Sequence, residues 1–159
     1  MTPTFLVRHM IETDLEDIAL LEAGCSGGWT KSQMTAALHQ PGAWQLVCQN
    51  TIDDAIVGYL FGTTVLDEAE IYRLAVSPPF RRKGFGRRLL ERAIDRLHHQ
   101  GVKSLFLEVR ESNQIALSLY RAAGFSPFGR RKKYYSAPSE DAVMMRRTIP
   151  VSRHNGRIT

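Results

Sequence analysis

The sequence predicts a mixed α/β domain in which helices flank a central, mostly antiparallel sheet. Three observations carry this. Trp44 to Gln49 and Ala55 to Val65 are rich in β-branched and aromatic residues and flank the turn-forming cluster NTIDD, the pattern of an antiparallel hairpin. Leu89, Leu90, Ala93, Ile94 and Leu97 recur at helical spacing soon after a proline-stopped strand. Strand and helix then alternate up to a last strand over Ala142 to Thr148, which gives one βαβ-like crossover.

Taken in order, Phe5 to His9 reads as a short strand, and Thr13 with Glu16 has the capping-box pattern of a helix running through about Ala23. Gly24 to Gly28 is a loop. A second helix starts at Thr30, with Gln33 completing its capping box, and ends at Pro41 and Gly42. After the hairpin, Ile71 to Val76 continues the sheet until Ser77, Pro78 and Pro79 stop it, because proline cannot donate to a ladder and restricts the residue before it. The helix from Gly86 closes at Gln100 and Gly101. Ser104 to Val109 is the next strand, Asn113 to Ala122 a helix ended by Gly124, and Phe125 to Tyr135 a strand and turn.

A chain of 159 residues suits one domain with a closed core, expected over residues 1–149 with a polar tail at 150–159. Hydrophobic residues at 43% and charged ones at 23% exclude a disordered, collagen-like or coiled-coil chain. Cys25 and Cys48 lack CxxC spacing and neighbouring histidines, so neither a disulfide framework nor a zinc site is expected, and a reducing cytoplasm is the expected location. No run approaches the roughly 18 apolar residues of a membrane span, and the opening residues lack a basic start followed by an apolar run, so neither export nor membrane insertion is expected. The net charge of +5 favours an anionic ligand or partner.

That charge is concentrated in Arg81 to Arg88, RRKGFGRR, which sets two glycines and five cations at a helix start. A helix N-terminus offers unpaired amide donors and partial positive charge, and glycine lets a phosphate approach the backbone, so a pyrophosphate would fit. The pattern is neither the P-loop nor the dinucleotide fingerprint GxGxxG. A solvated basic helix start with glycine in a turn is the alternative.

Glu108 lies near the end of the apolar strand LFLEV, sharing a face with Phe106 and not with Leu105, Leu107 or Val109. A carboxylate among apolar neighbours has a raised pKa, which suits a base working near neutral pH, whereas an edge-strand glutamate in water would have no such role. Asn113 and Tyr120 are two helical turns apart, with the small Ala116 between them, so one helix face would present both to a ligand. Tyr120 also reads as a core aromatic beside Leu119. His98 and His99 suit the negative end of their helix better than a metal, and Cys25 and Cys48 read as a loop thiol and a strand residue.

RxxGxG at Arg81, Gly84 and Gly86, preceded by YRLAVSPPF, resembles the acetyl-CoA motif of the GCN5-related N-acetyltransferases (GNAT). LFLEVRESNQIALSLYRAAGF, from Leu105 to Phe125, is similar to the second half of that fold. Within the superfamily, WTKSQM, LDEAEIYRLAV, LEVRESN and the ending RRKKYY…DAVMM resemble the bacterial RimI-type ribosomal-protein alanine N-acetyltransferases. The resemblance spans nearly the whole domain.

It implies the GNAT fold and acetyl-CoA as the acetyl donor, with no metal. Backbone groups of Leu74, Ala75 and Val76 would pair with the pantetheine arm, and amides of Arg82, Lys83, Gly84, Phe85, Gly86 and Arg87 would hold the pyrophosphate, with a further contact from Asn113. Glu108 matches the proposed general base, and Tyr120 the tyrosine that protonates the departing thiolate. A backbone amide near Val76 would meet the developing oxyanion. Tyr134 and Tyr135 would line the acceptor's path. Arg73 stands where the resembled pattern often has asparagine, on the acceptor side, so it bears on acceptor choice.

The implied acceptor is a protein N-terminus, the N-terminal alanine of a small-subunit ribosomal protein, reached by direct transfer without nucleic acid or membrane as partner. Lysine side chains or a small amine are same-fold alternatives. A non-catalytic acetyl-CoA sensor or an RNA-binding module are alternatives of another class; Glu108 and Tyr120 argue against the first, and the lack of an aromatic stacking motif against the second.

Overall fold

A computed structural model describes residues 2, 4–24, 29–136 and 138–150. Its strands are β1 (Phe5–His9), β2 (Ala43–Asn50), β3 (Ile56–Val65), β4 (Glu68–Val76), β5 (Ser104–Arg110), β6 (Ser126–Ser136) and β7 (Ser139–Thr148). The helices are α1 (Leu15–Ala23), α2 (Lys31–Leu38), α3 (Phe85–His99) and α4 (Gln114–Ala122). The strands form one seven-stranded sheet in the order β1-β2-β3-β4-β5-β7-β6. Only β4 and β5 pair in parallel, joined through α3 as the sequence predicts.

Helices pack on both faces of the sheet. Leu89, Leu90, Ala93 and Leu97 of α3 pack with Leu117 of α4 against Leu46, Leu60, Ile71, Leu105 and Leu107. On the opposite face, Ile18 of α1 and Met34 of α2 cover Val47, Tyr59, Phe61 and Ala75. Cys48 is a buried core residue of β2, while Cys25 and the tail beyond Pro150 lie outside the described residues.

The capping box at Thr30 forms as predicted, with the Gln33 amide donating to Thr30 Oγ1 at 3.2 Å and the Thr30 amide to Gln33 Oε1 at 2.8 Å. The one expected at Thr13 and Glu16 does not. Glu12–Asp14 forms a 3-10 turn and α1 begins at Leu15 without a side-chain cap. Here the buried Asp14 carboxylate accepts from both Arg8 guanidinium nitrogens at 2.8 and 2.9 Å and from the Ile11 amide at 2.8 Å. A charge-assisted pair from a neighbouring strand outcompetes a local hydroxyl cap. Two strand starts also move: β4 begins at Glu68 ahead of the expected Ile71, and β7 at Ser139 ahead of Ala142.

Burial alone would raise the Asp14 carboxyl, but Arg8 and the Ile11 amide outweigh it and hold its pKa below the ordinary 3.8. A depressed folded-state value stabilises fully above the ordinary one and is lost as pH falls through the depressed one. Asp14→Asn is therefore expected to cost about 2 kcal/mol at neutral pH. In urea melts, that difference should close as pH falls below 3.8.

Candidate active site

The site begins where the sheet stops being continuous. Parallel pairing of β4 and β5 runs from Glu68 opposite Ser104 to Ile71 opposite Leu107 and ends there, although β4 continues to Val76 and β5 to Arg110. The cause is visible on the other edge of β4. Phe61 of β3 opposes Arg73 and Gly62 opposes Ile71, so Tyr72 is an extra residue in the ladder, and a bulge of this kind bends the strand that carries it. Past the bulge, Leu74, Ala75 and Val76 stay paired to Leu60, Tyr59 and Gly58 but have no strand on the β5 side. An open strand edge of this kind can hydrogen-bond an amide-bearing arm. The Val76 carbonyl also accepts from Arg81 Nε at 2.9 Å.

At the end of this open edge lies the Arg82–Arg87 segment. Arg82 and Gly84 have positive φ, 61° and 84°, and α3 starts at Phe85. Within the described residues no acceptor meets the amides of Arg82 to Arg87, and the first bond back to the segment is from the Arg88 amide to the Gly84 carbonyl, at 3.1 Å. Alternating right- and left-handed residues turn successive amides toward a common side, which suits an anion. The two glycines serve different ends. A Cβ at Gly84 would meet nothing, so that position needs backbone freedom, whereas a Cβ at Gly86 would approach Leu119 Cδ2 to 3.2 Å, so that position needs space between α3 and α4. These residues fit a pyrophosphate-bearing donor. Gly84→Ala is expected to raise the acetyl-CoA KM about fivefold, the equivalent of ~1 kcal/mol of left-handed strain, with little effect on the acceptor KM.

Glu108 opens onto the sheet face opposite α3. A cleft of about 300 Å³ is lined there by Glu68, Glu70 and Tyr72 of β4, Phe106 and Glu108 of β5, Phe128 and Arg131 of β6, and Met144 of β7. Glu108 and Phe106 share this face, while Leu105, Leu107 and Val109 are buried on the other, as the alternation predicts. The surroundings differ from those predicted. Instead of standing among apolar groups, Glu108 is ion-paired to Arg131, with Nε to Oε1 at 2.7 Å, and accepts a hydrogen bond from the Tyr134 hydroxyl. Its neighbours along the strand point away, and β6 brings polar groups instead. Glu70, on the same face, has its carboxyl raised by burial first and by the Glu108 charge second, with Arg131 opposing. Tyr135 stacks under the Arg110 guanidinium, 4.2 Å from the ring centroid.

Tyr120 reaches the opening from the α3/α4 side. Only 7% exposed, it belongs to the core cluster and meets Phe125 edge to face, with ring centroids 5.7 Å apart. Burial pushes its phenol above the ordinary value, Arg73 works against that shift and Tyr135 adds to it. Tyr135 also feels Glu108, so Tyr120, Tyr135, Arg73 and Glu108 cluster around the opening between β4 and β5. Asn113 does not join Tyr120 on one ligand-facing surface as predicted. It is the exposed N-cap of α4, its Oδ1 accepting from the Ala116 amide at 3.1 Å, because a side chain outside the helix turns back over the first turn.

Several residues around the opening carry no local signal in the sequence. Glu22 of α1, with 1% of its side chain exposed, accepts from Arg73 Nε and Nη2 at 2.9 and 3.0 Å and from the Trp29 amide at 2.9 Å. Its place on the apolar face of α1 is the only cue, and its partner is 51 residues away. Glu70 and Arg131 are equally silent until strand register brings them together. His99 hydrogen-bonds the Asp95 carbonyl at the end of α3. Among the described residues no group of three His, Cys, Asp or Glu could hold a metal ion, and no helix is long and apolar enough to cross a membrane.

Residues 13–125 match the acetyltransferase (GNAT) family. The chain is 35% identical over 144 residues to the ribosomal protein bS18-alanine N-acetyltransferase of Haemophilus ducreyi, covering 88% of this chain and 97% of that protein. It is 40% identical over 123 residues to the Escherichia coli K12 enzyme of the same name, covering 76% and 81%. The crystal structure of the ribosomal-protein-S18-alanine N-acetyltransferase from Escherichia coli superposes with a TM-score of 0.86 at 30% identity, over 96% of this chain and 98% of that one.

Proposed function

Because the chain belongs to the acetyltransferase (GNAT) family and is thus an acetyl-CoA-dependent N-acetyltransferase, we propose that it acetylates the α-amine of a protein N-terminus. The favoured acceptor is the N-terminal alanine of a small-subunit ribosomal protein, as the names of its relatives suggest. The observation that carries the mechanism is that Glu108 and Tyr120 approach the β4/β5 opening from opposite faces of the sheet.

Acetyl-CoA supplies a thioester carbonyl with a thiolate leaving group. Amides of Arg82 to Arg87 hold its pyrophosphate, the open edge at Leu74 to Val76 pairs with its amide-bearing arm, and Asn113 flanks it at the start of α4. The acceptor enters the cleft on the Glu108 side. Glu108 takes the ammonium proton, directly or through water, so that the neutral amine can attack. A backbone amide near Val76 meets the negative charge that develops on the carbonyl oxygen. Tyr120, kept protonated by burial, gives its proton to the departing sulfur as the carbon–sulfur bond breaks, and the second proton shed by the new amide nitrogen restores the phenol. The transfer is direct and uses no enzyme nucleophile, so none of its steps calls on Cys48, which is buried in the core. A cytoplasmic enzyme organised as one domain over residues 1–149 fits this role.

The test is intact-mass analysis of a ribosomal-protein N-terminal peptide, its lysines blocked, after incubation with acetyl-CoA and the protein. One acetyl group on the α-amine is expected. No transfer to the free N-terminus, with transfer instead to a second peptide whose lysines are free and N-terminus blocked or to a small amine, would replace the acceptor and leave the fold and donor unchanged.

A further inference from the structure

The ion pair between Arg131 and Glu108 stands where an acceptor ammonium would have to arrive. A guanidinium 2.7 Å from Glu108 Oε1 occupies the carboxylate, so a base so paired is not free to receive the ammonium. The pair is lopsided: the Glu108 side chain is 17% exposed and that of Arg131 54%. An ion pair with so wet a cation is worth no more than about a fivefold change in an equilibrium, so Arg131 can leave at little cost.

A second seat lies within the same cleft. Glu70 stands opposite Phe106 in the parallel ladder, on the same cleft face as Glu108 and diagonal to it. Glu70 feels the charges of both Glu108 and Arg131. Arg131 also sits on the edge strand β6, just before the ladder to β7 breaks. Arg131 pairs with Ala142, the next matched pair is Tyr135 with Glu140, and Lys133 between them has a φ of 51°. The residues after Arg131 are thus not clamped by a regular ladder.

We propose that Arg131 is a positioning residue that holds the acceptor ammonium's place on Glu108 and moves to Glu70 when the acceptor enters. The inference rests on the reading of Glu108 as base. Charge balance supports it. The cleft lining sets three carboxylates, Glu68, Glu70 and Glu108, against the one guanidinium of Arg131, and an incoming ammonium narrows that excess and gives Glu70 and Glu108 a cation each. The other titratable groups around Glu108 already have places, and Arg73 of β4, at the same opening, is committed to Glu22. Glu68 and Tyr72 of β4 stand at the rim, Tyr134 and Tyr135 of β6 are phenols, Tyr120 approaches from α4, and β7 places the uncharged Met144 opposite. Tyr134 keeps its hydrogen bond to Glu108 and so steadies the carboxylate once Arg131 has moved.

Steady-state kinetics on an N-terminal peptide from pH 5 to 9 would compare the parent enzyme with Arg131→Gln, Glu70→Gln, the double variant and Glu108→Gln. Arg131→Gln is expected to lower the acceptor KM about two- to fivefold with kcat little changed, a split that a merely structural residue would not give. Glu70→Gln, which removes the second seat, should raise the acceptor KM by a similar factor, and the double variant should lose that rise. An unchanged or raised acceptor KM in Arg131→Gln, alongside an inactive Glu108→Gln, overturns the inference and leaves the base intact. Full activity in Glu108→Gln instead overturns the base, whatever Arg131→Gln does.

Discussion

Glu108→Gln is expected to lower kcat/KM for an N-terminal peptide about 10²- to 10³-fold, with the acetyl-CoA KM and the melting temperature nearly unchanged. Glutamine keeps the shape and the Tyr134 contact but cannot take a proton, so the loss falls on the step that frees the amine. The donor should bind normally because the amides of Arg82 to Arg87 lie beyond the opposite end of the β4/β5 opening. Raising the pH should recover part of the loss, since a larger share of the acceptor amine is then already neutral. Tyr120→Phe is expected to cost less, about tenfold, because a thiolate is a competent leaving group and needs its proton less than an alkoxide would. That variant should show no recovery at high pH. Equal losses in both variants, insensitive to pH, would mean that the two residues shape the site without exchanging protons.

What the sequence reveals divides along the distance between interacting residues. The Thr30–Gln33 cap and the helix start within RRKGFGRR are complete within eight residues, and both form where the local pattern puts them. The Thr13–Glu16 cap has the same local pattern and fails, because Asp14 finds Arg8 on β1. The alternation along LFLEV places Glu108 on the correct face, since a period of two is a property of the strand itself. Its ionic partner depends on the pairing of β5 with β7 and of β7 with β6, a register that no local pattern encodes. The opening is also hidden. It depends on one extra residue, Tyr72, in the β3/β4 ladder, and nothing in EIYRL marks a bulge. Chemistry-bearing residue types were therefore legible, and the charges that tune them were not.

Glu22 and Arg73 give the largest stability effect expected of a single substitution near the site. Glu22→Ala should destabilise the fold by about 3 kcal/mol, or roughly 10 °C in Tm for a chain of this length, because it leaves the Arg73 guanidinium partly buried without its partner and the Trp29 amide without an acceptor. Arg73→Ala should cost as much or more, since the carboxylate left behind is the more deeply buried partner. Replacing both, as in Glu22→Leu with Arg73→Met, should recover most of the loss, because apolar groups of similar size need no partner where an isolated charge does. Function should separate from stability in that double variant. Arg73 acts on the Tyr120 phenol, opposing the shift that burial imposes. Its removal should hold the proton more tightly and slow transfer to the sulfur, so the repacked enzyme is expected to melt near the parent temperature yet turn over more slowly. Parent-like turnover in it would assign the pair to holding α1 on β4 alone.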